Sequence, residues 1–150
     1  MASKSQPHVA LLSIQPEYAN AIFTGEKSVE FRKQSFKQPV THVVVYSSSP
    51  EQKILGYFEI AFVDVGHPTT IWRRYRGNGA IASENYRAYF DGKSQAVAYG
   101  IKKSFKLRKP ISIGSFQPGL EAPQSFCYLE ERLLKKLERM THEPQIVEKS

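Results

Sequence analysis

Between residues 28 and 65 the chain offers three extended stretches in succession with no helical stretch between them. That run narrows the possible architectures more than any other feature. Residues 28–33 alternate, with Val29 and Phe31 facing one way and Ser28, Glu30 and Arg32 the other, the period of a strand with one buried face. Val43-Val44-Val45-Tyr46 is a β-branched run that meets the polar loop Ser47-Ser48-Ser49-Pro50. Residues 54–65 read as a further strand, in which Gly56 marks a bulge or a close backbone approach. A doubly wound parallel sheet would require helices between such strands, so that class is excluded.

The flanks supply the other elements. Residues 8–15 read as a first strand, and Pro16 suits the first turn of a helix carrying Tyr18, Ala21 and Ile22 on one stripe, with Gly25 as its stop. A short helix is expected over residues 69–76 around Trp72, and a second over 84–90 with Ser83 as its N-cap. Residues 96–107 return to strand, and 111–113 form a brief strand after Pro110. A loop rich in Pro and Gly spans 114–124, and Ser125 caps a last helix with Leu129, Leu133, Leu137 and Met140 on one stripe. The order β-α-β-β-β-α-α-β-β-α places the chain in the α+β class with a small mixed barrel. At 150 residues it is expected to form one domain over 1–140, followed by a polar tail over 141–150.

Charge divides unevenly along this order. Residues 72–109 carry ten Lys/Arg against only Glu84 and Asp91, whereas the segments on either side are nearly balanced, so the net +7 resides in one quarter of the chain. There Arg73, Arg74, Arg76, Lys102 and Lys103 are interleaved with Trp72 and several tyrosines, a composition suited to a polyanion with stackable bases. The alternative is a solvated basic face over core aromatics. Cys127 is the only cysteine and lies between Phe126 and Tyr128, which predicts a buried, unreactive thiol and no disulfide. The histidines are widely spaced, with no metal-ligand pattern, so no metal or other cofactor is expected. No apolar run is long enough to span a membrane and the first residues lack a secretory pattern, leaving the cytoplasm as the expected location.

Three ordered stretches carry a family resemblance. They are Leu12-Ser13-Ile14-Gln15-Pro16 with Tyr18-Ala19 and Gly25-Glu26-Lys27-Ser28-Val29-Glu30-Phe31-Arg32; Val45-Tyr46-Ser47-Ser48-Ser49-Pro50 with Lys53-Ile54-Leu55-Gly56; and Pro123-Gln124-Ser125-Phe126 with Tyr128-Leu129. Together they resemble the ASCH domain family of the PUA-like superfamily. The resemblance implies a PUA-like β-barrel with flanking helices and a cleft beside the first helix and residues 25–32, and it implies RNA or a nucleotide as partner. Some members of the family resemble RNA-binding modules of transcription coactivators, some cleave RNA, and one small branch deacetylates N4-acetylcytidine compounds. That last branch resembles Gly-x-Lys-Thr-x-Thr-x-Arg at this motif. Here Glu30 stands at the second Thr, so the expected hydroxyl nucleophile is missing.

Lys27, Glu30 and Arg32 form a compact set able to bind phosphate and move a proton, or else a surface ion-pair cluster. Tyr46 and Lys53 flank the serine-rich loop and could polarise a phosphodiester without a metal, or be a strand aromatic and a loop charge. Ser125 is expected either to cap its helix or to meet a phosphate at that helix start. Lys27, Glu30, Tyr46, Lys53 and Ser125 are thus the candidate catalytic residues. Arg32, Trp72, Arg73, Arg74, Arg76, Lys102 and Lys103 are the candidate RNA contacts. The expected function is RNA binding with metal-independent cleavage of single-stranded RNA. The alternatives are a non-catalytic RNA-binding module in transcription or translation, and an N4-acetylcytidine amidohydrolase. The C-terminal helix, with its leucine stripe, is the expected contact for any protein partner.

Overall fold

The β-branched run and the strand that follows it fold back on each other, and the rest of the sheet is built outward from that hairpin. The computed structural model describes residues 8–141. In chain order its elements are β1 (Val9–Ile14), α1 (Pro16–Thr24), β2 (Val29–Arg32), β3 (His42–Ser47), β4 (Lys53–Gly66), α2 (Pro68–Tyr75), α3 (Ser83–Tyr89), β5 (Ala96–Ile111), α4 (Ile113–Phe116), β6 (Phe126–Leu129) and α5 (Glu131–Glu138). One six-stranded sheet runs in the order β2-β5-β4-β3-β1-β6 and curls into a half-barrel of PUA-like type. Only β1 and β3 run parallel, and α1 lies in the connection between them; all other neighbours are antiparallel.

Strand alternation divides the core between the two faces of the sheet. Val9 and Leu11 of β1 join Val44 and Tyr46 of β3 in one cluster, completed by Leu133, Leu134 and Leu137 of α5. Leu12, Ile14, Val43 and Val45 point the other way and bury Ala19 and Ile22 of α1. A third cluster joins Val29 and Phe31 of β2 to Ile71 of α2 and Tyr86 of α3. Each fully buried Leu or Ile side chain contributes about 1.5–3 kcal/mol. Helix α1 ends as expected at Gly25, which takes the left-handed conformation with φ 87°.

The expectations for the second half of the chain need correction in four places. Residues 96–107 and 111–113 are not two strands, since β5 continues from Ala96 to Ile111. Its pairing with β4 jumps from Gly56–Lys106 to Ile54–Ile111, so Pro110, which has no N–H, falls in the unpaired bulge. Residue 113 instead opens α4, which Ser112 caps by accepting from Ser115 N–H. Ser83 is the first residue of α3 rather than its cap, and the capping position is Ala82. Ser125 caps no helix either: Phe126–Leu129 is an edge strand paired with β1, and α5 begins only at Glu131. Leu129 therefore lies on a strand, and the remaining leucines of the expected stripe are buried against the chain's own barrel. Past Thr141, the expected polar tail lies outside the described residues.

Candidate nucleic-acid site

Gly25 turns the chain out of α1 and Lys27 follows at once, its backbone N–H bonded to the Ala21 carbonyl. The Lys27 side chain is buried, with its ammonium 5.3 Å from the Tyr18 ring centroid and 5.6 Å from that of Phe31. It donates to the carbonyl of Gly79. A side chain at position 79 would collide with the Phe31 ring, whose nearest atom would lie 2.3 Å from the added carbon. Glycine is therefore what lets that carbonyl approach.

On β2, alternation sends Val29 and Phe31 into the third core cluster and leaves Glu30 and Arg32 on the opposite face. Glu30 is buried between two cations, with Oε1 3.4 Å from Lys27 Nζ and Oε2 3.1 Å from Arg32 Nη1. Arg32 donates from Nη1 to the Ser13 carbonyl and from Nη2 to Ser125 Oγ at 3.1 Å. Ser125 is held there by its neighbours on β1: Ser13 N–H donates to the Ser125 carbonyl, and Ser13 Oγ donates to the Pro123 carbonyl at 2.6 Å. Lys27, Glu30, Arg32 and Ser125 thus form one continuous row. Lys27 and Glu30 are buried, Arg32 is half-buried and Ser125 is exposed, so the row runs from the interior out to the surface.

The row opens onto a cleft of two chambers. One, of about 630 Å³, is lined by Tyr18 and Glu17 of α1, Lys27, Glu30 and Arg32. The other, of about 580 Å³, is lined by Arg32, Lys33, Lys93, Tyr99, Ser125 and Phe126. Arg32, Tyr89 and Gln124 border both, so they form the wall between them. Lys33 lays its ammonium over the Tyr89 ring, 4.3 Å from the centroid. Burial raises the Tyr89 phenol above its ordinary range, with Arg32 opposing and Glu30 adding to the effect, so at neutral pH it remains a hydroxyl able to donate.

The other sequence-predicted residues lie elsewhere. Tyr46 is buried in the α5-side cluster, where it is the β3 partner of Ser13; Lys53 is exposed at the start of β4. Neither lines a chamber. Trp72 is half-buried and packs on Phe31 and Tyr86, 4.6 Å between its centroid and that of Tyr86. Arg73 and Arg76 are exposed on and just beyond α2, Arg74 pairs with Asp64 at 2.8 Å, and Lys102 and Lys103 are exposed on β5. All five lie outside the chambers. Sequence reasoning missed Lys33, Lys93 and Tyr89 as cleft residues, although Lys33 directly follows Arg32 and Lys93 belongs to the basic segment. Cys127 is half-buried, and burial pushes its thiol up, as befits an inert side chain. Among the described residues no helix is long and apolar enough to cross a membrane.

Comparison with known proteins places this geometry. Over 129 residues the chain is 36% identical to a Ureaplasma parvum protein named ATP synthase subunit alpha, covering 85% of this chain but 16% of that protein. Over 121 residues it is 34% identical to one named large ribosomal subunit protein uL22 from the same species, covering 80% of this chain and 39% of that protein. The chain thus spans well under half of either. It is 29% identical over 140 residues to the ASCH domain-containing ribonuclease of Zymomonas mobilis, covering 88% of this chain and 91% of that one. The crystal structure of ASCH from Zymomonas mobilis superposes with a TM-score of 0.81 at 27% identity, covering 90% and 96% of the two chains. The ASCH domain model matches residues 12–105, from the strand before α1 to the middle of β5 and across both β2 and the bulge at Gly56, and the chain belongs to the ASCH domain family.

Proposed function

We propose that this protein binds single-stranded RNA and cleaves it without a metal. The observation that carries this reading is the Lys27–Glu30–Arg32–Ser125 row, buried at its Lys27–Glu30 end and exposed at Ser125, at the wall of an open, two-chambered cleft. Metal-independent cleavage asks for three things: a base for the ribose 2′-hydroxyl, a cation for the phosphorane, and an acid for the leaving O5′. In this reading Glu30 takes the 2′-hydroxyl proton as that oxygen attacks phosphorus. Arg32, whose guanidinium presents a fork of donors, holds the non-bridging oxygens. Lys27 protonates O5′ as its bond to phosphorus breaks, leaving a 2′,3′-cyclic phosphate and a free 5′-hydroxyl. The 3.4 Å contact between Lys27 and Glu30 then returns the proton. The relative named as a ribonuclease supports RNA cleavage as the activity. Tyr46 and Lys53, the other expected pair, line neither chamber and take no step in this reading.

The test is incubation with single-stranded RNA in the presence of a chelator. Wild type should release cyclic-phosphate ends, and Glu30→Gln and Arg32→Ala should each lower the rate at least 100-fold. Cleavage that persists in both variants would remove the row from the chemistry, whereas Lys53→Ala should cleave undiminished. A second reading, a non-catalytic module, is favoured by the match to part of a protein named for the ribosome. It predicts salt-dependent RNA binding with no turnover.

A further inference from the structure

The two chambers differ in charge although they share a wall. The Tyr18 side carries Lys27 and Arg32 against Glu17 and Glu30, a balanced set. The Lys33 side carries Arg32, Lys33 and Lys93 and, among the described residues, has no carboxylate in its lining. Among the described residues, Lys33 and Lys93 make no ion pair, whereas Lys27 and Arg32 both meet Glu30. Lys33 is also half-buried and held against the Tyr89 ring, so part of its conformational freedom is already lost before a ligand arrives.

We infer that the cleft is divided by charge and so reads strand polarity: the balanced chamber takes a nucleoside, and the Lys33/Lys93 chamber takes its 3′-phosphate and the nucleotide that follows. The inference rests on the proposed RNA reading and extends it. A neutral nucleoside gains nothing from unmatched cations, whereas a phosphate gains most where no carboxylate competes. Arg32 stands on the shared wall, so a phosphate at its guanidinium lies between the two chambers with Ser125 Oγ beside it. Glu30 lines the balanced chamber and not the positive one. The ribose whose 2′-hydroxyl it faces is therefore the one preceding that phosphate, and this sets the 5′ side in the balanced chamber. Phe36 and Phe126 in the positive chamber, both half-buried, offer apolar surface to the following nucleotide.

The test is calorimetric titration of the full chain with the four nucleosides and with their 3′- and 5′-monophosphates. The 3′-monophosphates should bind at least tenfold tighter than the nucleosides and tighter than the 5′-monophosphates. Lys93→Glu, at an exposed position, should bring 3′-monophosphate affinity down to that of the nucleoside without changing nucleoside affinity. Lys33→Gln should act in the same direction. Equal binding of the 3′- and 5′-monophosphates would overturn the inference, as would a Lys93→Glu loss shared by the nucleosides. Long single-stranded RNA run in parallel separates the two levels. If it binds and is cleaved while both lysine variants behave as wild type, the charge division fails alone. If wild type binds neither RNA nor nucleotides, the RNA reading fails with it.

Discussion

Glu30 is 5% exposed and faces two cations, an arrangement whose stability depends on every member being present. Removing Lys27 would leave Glu30 with Arg32 alone and the Gly79 carbonyl without its donor. Breaking a buried pair in this way costs about 3 kcal/mol, and Lys27→Met should accordingly lower Tm by roughly 6–12 °C in a thermal melt. An unchanged Tm would mean that the pair adds nothing to folding. A second residue-level prediction concerns alkali. Tyr86 is buried and donates to the Pro68 carbonyl at 2.7 Å, and burial pushes its phenol from 10.0 up to about 12. The folded state therefore favours the protonated phenol. Its contribution is fully present below pH 10 and is lost as pH rises through about 12. Tyr86→Phe should be less stable at neutral pH by about 1 kcal/mol, for the lost hydrogen bond, yet lose stability less steeply over that alkaline window. Denaturant melts at stepped pH would check both halves.

At the scale of elements, what the sequence reveals depends on whether local pattern and tertiary pairing agree. In β2 they agree: Val29 and Phe31 have no buried place except against α2 and α3, so Glu30 and Arg32 must face the cleft. The first helix is equally legible, since Pro16 and Gly25 act locally at its two ends. Ser125 is the opposite case. A serine before Phe-Cys-Tyr-Leu can begin a helix or a strand, and what decides is β1, whose free edge takes residues 126–129 as a sixth strand. No local pattern records that edge. For the same reason Tyr89 and Lys93 were not legible as cleft residues, because only the packing of α3 against β2 brings residue 89 to residue 33. Gly56 marks the close approach that a glycine inside a strand implies: a methyl group there would lie 2.2 Å from the Phe105 carbonyl oxygen and 2.8 Å from the Phe23 ring. The first of these is backbone and cannot swing aside. Overpacking typically costs about 1–3 kcal/mol, so Gly56→Ala should lower Tm by roughly 2–12 °C. A melt equal to wild type would show that the β4–β5 bulge can open.

For the molecule as a whole, the basic segment and the cleft are separate surfaces with a small overlap. Of the basic residues in 72–109, Lys93 alone lines a chamber, while Arg73, Arg76, Lys102 and Lys103 are exposed beyond it. A short ligand held in the cleft would not feel those outer charges strongly, because fields between exposed groups are screened within about 10 Å at ordinary salt. A long RNA would cross them and release counterions as it did so. Arg73 and Arg76 are the best probes, since Arg74 is already committed to Asp64. Reversing both, Arg73→Glu with Arg76→Glu, should weaken long single-stranded RNA and flatten the dependence of log affinity on log salt by about 1.4, or about 0.7 per lost phosphate contact. Nucleoside 3′-monophosphate affinity should stay at the wild-type value. Binding titrations at several salt concentrations measure both. A long-RNA slope that does not move would place these arginines outside the contact surface and turn attention to Lys102 and Lys103 on β5. A loss shared by the 3′-monophosphates would mean that the outer charges act on the cleft itself rather than on the strand that leads to it.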